Sequence, residues 1–217
     1  MKKLAIFDLD GTLLDTVADL AHATNFALQQ CGFPTHEVDE YYHFVGRGIN
    51  NLFRSALPEE SRNDENVLRM RAAFVPYYNE HNADNSHPYE GITEVLSSLH
   101  EAGFKLAVAS NKYQQATEKL IRRFFPTIPF CTVLGQREGF PMKPDPSIVY
   151  LIIEQAGVDV QDVLYIGDSG IDMQTAENAH VESIGVTWGF RSAEELRASG
   201  AKHLVHTPEQ ILTIALP

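Results

Sequence analysis

The chain of 217 residues carries 29 acidic against 17 basic side chains, a net charge of −12. That balance excludes a general nucleic-acid binder, which needs a basic face, and requires an anionic partner to be attracted locally. Hydrophobic residues at 44% and charged residues at 21% exclude disorder, and the length fits one large domain or a domain carrying an insert.

Leu4–Phe7 is a short apolar run that reads as a buried strand. It follows Met1-Lys2-Lys3 but ends at Asp8, too soon for the apolar core of a signal peptide. No segment approaches the length of a membrane span, so a cytoplasmic protein with no membrane partner is expected. From about Thr16 to about Ser86 there is no convincing strand. Val17, Leu20, Ala21, Thr24, Leu28 and Cys31 recur at helical spacing behind a Thr16…Asp19 capping box. Further helices are expected at about 37–45, 48–57 and 64–80, the last kinked or broken at Pro76. Two cysteines, Cys31 and Cys131, lack any metal-ligand spacing and are expected as buried, reduced thiols.

Beyond residue 87 the pattern alternates. Ile92, Val95, Leu96 and Leu99 form a helical face that stops at Gly103, and Lys105–Ala109 reads as a strand. Ala116, Leu120, Ile121 and Phe124 give a helix, Cys131–Leu134 a weaker strand, and Ile148, Leu151, Ile152 and Ala156 a helix ending at Gly157. Strands follow at Val163–Ile166, Ile184–Val186 and, at an edge, Leu204–Val205. Ser192…Glu195 fits a capping box, and Pro208 fits the first helical position. Uniformly apolar strands alternating with helices indicate an α/β fold, a Rossmann-like doubly wound parallel sheet. The expected organisation is a discontinuous core, 1–15 with 87–217, interrupted by an α-helical cap domain at 16–86.

Three of the apolar runs end in polar groups: Asp8-Leu9-Asp10-Gly11-Thr12, Ser110-Asn111, and Gly167-Asp168-Ser169-Gly170-Ile171-Asp172. Ligands of open α/β sheets bind outside the carboxyl ends of the strands, so the three sets converge on one crevice. Residues two apart on a strand face the same way, which lets Asp8 and Asp10 address one ligand. Close carboxylates repel one another and any phosphate, so a cation is needed; Mg²⁺, with its preference for one or two carboxylates, fits Asp8 and Asp168. Gly11 permits a sharp turn that brings its N–H to a phosphate.

The string Asp8-Leu9-Asp10-Gly11-Thr12-Leu13 resembles the first motif of the haloacid-dehalogenase-like phosphohydrolases. Ser110 matches the second motif, Lys143 in Lys143-Pro144-Asp145-Pro146 the third, and Gly167-Asp168 with Asp172 the fourth, in the family's order. The resemblance implies a Mg²⁺-dependent phosphatase in which Asp8 attacks phosphorus and Asp10 serves as general acid and base. It implies that Gly11, Thr12, Ser110 and Asn111 hold phosphate oxygens and that Lys143 neutralises charge. Asp8, the Asp10 carbonyl, Asp168 and Asp172 are the implied metal residues.

The substrate expected is a small-molecule phosphate ester, met by a monomer or weak homodimer. Phe44-Val45-Gly46-Arg47-Gly48-Ile49 resembles the cap loop of phosphoglycolate phosphatases, and Arg47 would pair a substrate carboxylate in a fork. Trp188 is expected to pack in the core, and His43, His81 and His87 to lie at the surface or a hinge. Alternatives are a mutase similar to β-phosphoglucomutase, a pyrophosphatase or nucleotidase of the same superfamily, and a non-enzymatic receiver phosphorylated on aspartate. A dehalogenase is disfavoured, because Asp10 has no use in that chemistry.

Overall fold

In the computed structural model, which describes residues 2–216, the apolar run Leu4–Phe7 is strand β1 and is buried at every position. Leu14–Asp15 (β2) pairs with His87–Pro88 (β3) where the chain leaves for an inserted segment and returns. The chain forms two compact units, Met1–Leu14 with Pro88–Pro217, and Asp15–His87.

The inserted unit is helical: α1 (Val17–Cys31), α2 (Tyr41–Phe44), α3 (Ile49–Ala56) and α4 (Asp64–His81), with 3₁₀ turns at Val38–Glu40 and Glu59–Ser61. α1 packs along α4, and Phe26 stacks on Tyr77 with ring centroids 4.2 Å apart. Phe53, Phe74 and Tyr78 make a second, fully buried aromatic row. Two expectations are corrected here. Thr16 makes no side-chain cap hydrogen bond. Asp19 instead turns its buried carboxylate to the returning chain, accepting from the Asn85 N–H and amide and from the Ser86 N–H and hydroxyl at 2.7–3.1 Å. Of the kink or break expected at Pro76, the break does not occur: α4 runs through the proline from Asp64 to His81. Packing of the aromatic face on both sides of the proline outweighs one lost helical hydrogen bond.

The larger unit continues with α5 (Ile92–Glu101), β4 (Lys105–Tyr113), α6 (Gln114–Phe124), β5 (Phe130–Gln136), α7 (Ser147–Ala156), β6 (Val163–Gly167), α8 (Gly170–Asn178), β7 (Glu182–Val186), α9 (Ala193–Ala198), β8 (His203–Val205) and α10 (Glu209–Ala215). Its six strands lie in the order β5-β4-β1-β6-β7-β8, all parallel. Leu4, Ile6, Ala107, Ala109, Val163 and Tyr165 face a core supplied by α7 and the end of α8. The alternate residues Ala5, Phe7, Leu106, Val108, Leu164 and Ile166 are buried on the opposite face. A sheet covered on both sides explains why its strands are apolar throughout rather than alternating. The direction of winding reverses between β1 and β6, so the crevice of the fold opens at their carboxyl ends.

Strand β4 runs four residues past the expected Ala109, and its register against β5 shifts between Ala109 and Tyr113. The polar Ser110-Asn111-Lys112 therefore form an irregular part of the strand, not the turn after it. Cys131 is exposed and Cys31 half-buried, so neither thiol occupies the core position expected of it. Ser192 accepts the Glu195 N–H as expected, whereas Pro208 stands at the N-cap of α10, one place earlier than expected.

Candidate active site

Asp8 follows β1 directly, and its N–H still belongs to the sheet, donating to the Ile166 carbonyl at 2.9 Å. Its Oδ1 accepts the Leu9 N–H at 2.7 Å and lies 3.0 Å from the Lys143 ammonium. Lys143 comes from the loop after β5 and is anchored at both ends. Its backbone N–H donates to the Asn111 side-chain carbonyl at 2.9 Å, and the Asn111 amide donates back to the Lys143 carbonyl at 3.2 Å. Its ammonium also donates to the Ala109 carbonyl at 3.0 Å and to Asp172 Oδ1 at 2.7 Å. A buried lysine held by two carboxylates and a carbonyl has one available orientation.

Asp172 lies in the first turn of α8 and is fully buried. Its Oδ1 also accepts from the Tyr165 hydroxyl at 3.2 Å, and its Oδ2 takes the Ser169 N–H and hydroxyl in a capping box. Asp168, at the end of β6, accepts the Phe190 N–H at 2.7 Å and the Thr12 hydroxyl at 3.4 Å. Gly11 is needed beside it: φ is +82°, and a Cβ there would stand 2.3 Å from Asp168 Oδ2. Gly189 closes the other side, where an added Cβ would meet the Asp168 Cβ at 2.3 Å. Asp10 is gripped by Lys112, whose ammonium reaches its two oxygens at 2.9 and 3.1 Å. Ser110, between them in chain order along β4, accepts the Lys112 N–H at 3.2 Å.

The electrostatics of this arrangement are unbalanced. Ligand atoms of Asp8, Asp168 and Asp172 lie within 4.8 Å of one another, all three residues are buried, and Lys143 is paired to two of them, Asp8 and Asp172. Burial and then the Asp172 charge push the Asp8 carboxyl up to about 7. Burial, Asp172 and Asp8 together hold the Asp168 carboxyl well above the usual range. Burial alone would discharge Lys143, but Asp172 and Asp8 outweigh it and keep the ammonium protonated. Burial keeps Tyr165 a neutral hydroxyl donor. Acids this close, with this little cationic charge, fit a divalent cation, and Asp8 and Asp168 offer oxygen ligands of the type Mg²⁺ takes.

The structure thus gathers Asp8, Asp10, Ser110, Asn111, Lys143, Asp168 and Asp172 at the carboxyl ends of β1, β4 and β6. Two expectations about the first motif change. The Gly11 N–H is not turned to a ligand, because it donates to the Leu14 carbonyl at 2.8 Å; the glycine is required by its φ and by Asp168. Thr12 is fully buried and turns its hydroxyl to Asp168. Trp188 is half-buried rather than core, and its indole N–H donates to the Thr12 carbonyl at 3.1 Å, fixing the same turn. Arg47 belongs to the inserted unit and is exposed, as are His43 and His87. Sequence reasoning assigned no role to Lys112, Tyr165, Ser169 or the Phe190 N–H. Lys112 could have been found, since it stands two residues beyond Ser110 on the same strand. Ser169 also carried a signal, the Ser-x-x-Asp spacing of a capping box at the start of α8; Tyr165 and the Phe190 N–H are partners of acids with no signal in residue type or spacing.

A sequence model described as haloacid dehalogenase-like hydrolase matches residues 5–186. A phosphoglycolate phosphatase of Agrobacterium fabrum is 37% identical over 193 residues, covering 88% of this chain and 82% of its own. One from Aliivibrio fischeri is 32% identical over 202 residues, covering 91% and 89%. A crystal structure from Lactobacillus delbrueckii, of a chain provisionally named phosphoglycolate phosphatase, superimposes with a TM-score of 0.93 at 36% identity, covering 100% of this chain and 99% of that one.

Proposed function

The chain belongs to the haloacid dehalogenase-like hydrolases and is a phosphoric monoester hydrolase, and from that premise we propose that it acts with Mg²⁺, through an aspartyl-phosphate on Asp8, on 2-phosphoglycolate. The observation that carries the mechanism is the Lys143 ammonium 3.0 Å from Asp8 Oδ1 inside a cluster of buried acids that it cannot neutralise alone. The substrate is proposed from the relatives, several of which are named phosphoglycolate phosphatases.

Asp8 attacks phosphorus with a carboxylate oxygen. The bond from phosphorus to the ester oxygen breaks, and the departing alkoxide takes a proton from Asp10. Asp10 then receives a proton from the water that attacks the acyl phosphate, which releases phosphate and restores Asp8. Lys143, held by Asp172, offsets the charge that accumulates beside Asp8. Ser110 and the backbone N–H groups around Asn111 supply donors to the phosphate oxygens. Lys112 orients Asp10 and adds a second cation close to the ester. Asp8, the Asp10 carbonyl and Asp168 would hold the Mg²⁺, which when bound would screen the acids from an anionic ester. Asp172 contributes its charge to the same cluster while its oxygens hold Lys143, Tyr165 and Ser169.

A panel of esters tests this: phosphate release from 2-phosphoglycolate, pyrophosphate, hexose phosphates and nucleotides, with Mg²⁺ and with excess chelator. The expected result is a preference for 2-phosphoglycolate, dependence on Mg²⁺, and no turnover of any ester by Asp8→Asn. Full activity in chelator would overturn the metal, and turnover by Asp8→Asn would overturn the nucleophile. Conversion of β-glucose 1-phosphate to glucose 6-phosphate with little free phosphate would select the mutase instead.

A further inference from the structure

Among the described residues Arg137 stands out. Its Nε and Nη2 are buried and have no hydrogen-bond partner. Arg137 as a whole is only half-buried, but two donors closed to water and unmet are costly, and such groups persist where something else requires them. The two nitrogens are not an arbitrary pair. Nε and Nη2 carry the parallel N–H bonds with which arginine grips a carboxylate in a fork.

The placement of the side chain is also informative. Arg137 is the first residue beyond β5, whose last residue, Gln136, is paired with Tyr113 of β4. It therefore sits at the carboxyl end of the sheet, where the acids gather. Lys143 follows six residues later, a span of at most about 20 Å when extended. The intervening loop is folded back, because the Gln136 amide donates to the carbonyls of both Arg137 and Phe140 at 2.9 Å. The guanidinium lies over the Phe140 ring, 4.8 Å from its centroid, so one face is fixed by stacking while the fork keeps no partner. Gly139 turns the loop at a φ of +74°, with open space where a side chain would project.

We propose that Arg137 determines specificity by gripping a second anionic group of the substrate, a carboxylate set close to the phosphate ester. The inference rests on the phosphoglycolate reading and assigns its recognition to the larger unit. The substrate's carboxylate takes the Nε–H and Nη2–H, which are covered in the free protein and must be uncovered as it binds. The unmet donors are the cost in the free protein, and pairing with substrate removes it.

The test compares 2-phosphoglycolate with ethyl phosphate, in which a methyl group replaces the carboxylate, in wild type, Arg137→Met and Arg137→Lys. Arg137→Met should raise KM for 2-phosphoglycolate by roughly 10-fold or more, the effect of losing a charge-assisted fork, and leave ethyl phosphate within about twofold. Arg137→Lys, which keeps charge but not the fork, should fall between. The melting temperature of Arg137→Met should hold or rise, since an unpaired buried charge is removed; a clear fall would mark a structural arginine and overturn the proposal. Equal losses on both esters, or none on either, would overturn it too. A wild type that does not distinguish the esters would sink the phosphoglycolate reading and this inference with it. A preference that survives in Arg137→Met would sink this inference alone.

Discussion

Asp168→Asn should make the metal-free protein more stable while removing its response to Mg²⁺. Ligand atoms of Asp8, Asp168 and Asp172 lie within 4.8 Å of one another. At an effective permittivity near 20, each like-charged pair at that separation costs about 3 kcal/mol. Lys143 compensates Asp8 at 3.0 Å and Asp172 at 2.7 Å. Asp168 has no ammonium in that position, only the Phe190 N–H and Thr12 hydroxyl, with the Arg191 charge a weaker influence. Two repulsions, about 6 kcal/mol if every acid is ionised, therefore fall on Asp168. The metal-free protein avoids part of this by holding a proton, so roughly 2–5 kcal/mol is the gain expected from the neutral isostere. An asparagine carbonyl still accepts from Phe190. For a chain of this size that corresponds to a rise of roughly 5 °C or more in melting temperature in excess EDTA, at about pH 8. Saturating Mg²⁺ should raise the wild-type melting temperature and leave the variant unmoved. A variant less stable than wild type in EDTA, or stabilised by Mg²⁺ as strongly, would refute the charge argument.

The raised Asp8 carboxyl sets a pH dependence. Between the ordinary value of 3.8 and about 7, the folded metal-free protein retains a proton that the unfolded chain has released. Stability in EDTA, taken as the difference between wild type and Asp8→Asn, should therefore decline as pH rises through that window, by at most about 1.4 kcal/mol per pH unit. The stabilisation by Mg²⁺ should grow over the same window; urea titrations across it, with and without the ion, check both. Lys112→Met should lower kcat by roughly 10- to 100-fold with a smaller change in KM, because Asp10 loses the ammonium that orients it; steady-state phosphate release decides, and an unchanged kcat would leave Lys112 a structural residue. Arg47→Ala should raise KM for 2-phosphoglycolate more than for ethyl phosphate if the inserted unit also reads the carboxylate; equal KM values would confine recognition to the larger unit.

The uniformly apolar strands were readable because each is buried on both faces, and the acids because strands end where the chain must turn polar. Residues whose work is to hold other residues were hidden. Asp19 reads as a helix-capping acid from its distance to Thr16, yet it grips Asn85 and Ser86, which are far away in sequence. Nothing in a one-dimensional pattern records a contact of that range. Ser110-Asn111 reads as a turn because both residues favour turns. Asn111 stays within β4 because its side chain exchanges hydrogen bonds with the backbone of Lys143. That exchange explains why the loop after β5 and the end of β4 act as one piece: β4 places Lys112 against Asp10, and the loop places Lys143 against Asp8. Two lysines on different segments are thus held in fixed relation by one asparagine, and two of the acids that face them, Asp8 and Asp10, come from a single turn after β1. A change that loosens Asn111 should disturb both ion pairs together, although it touches neither.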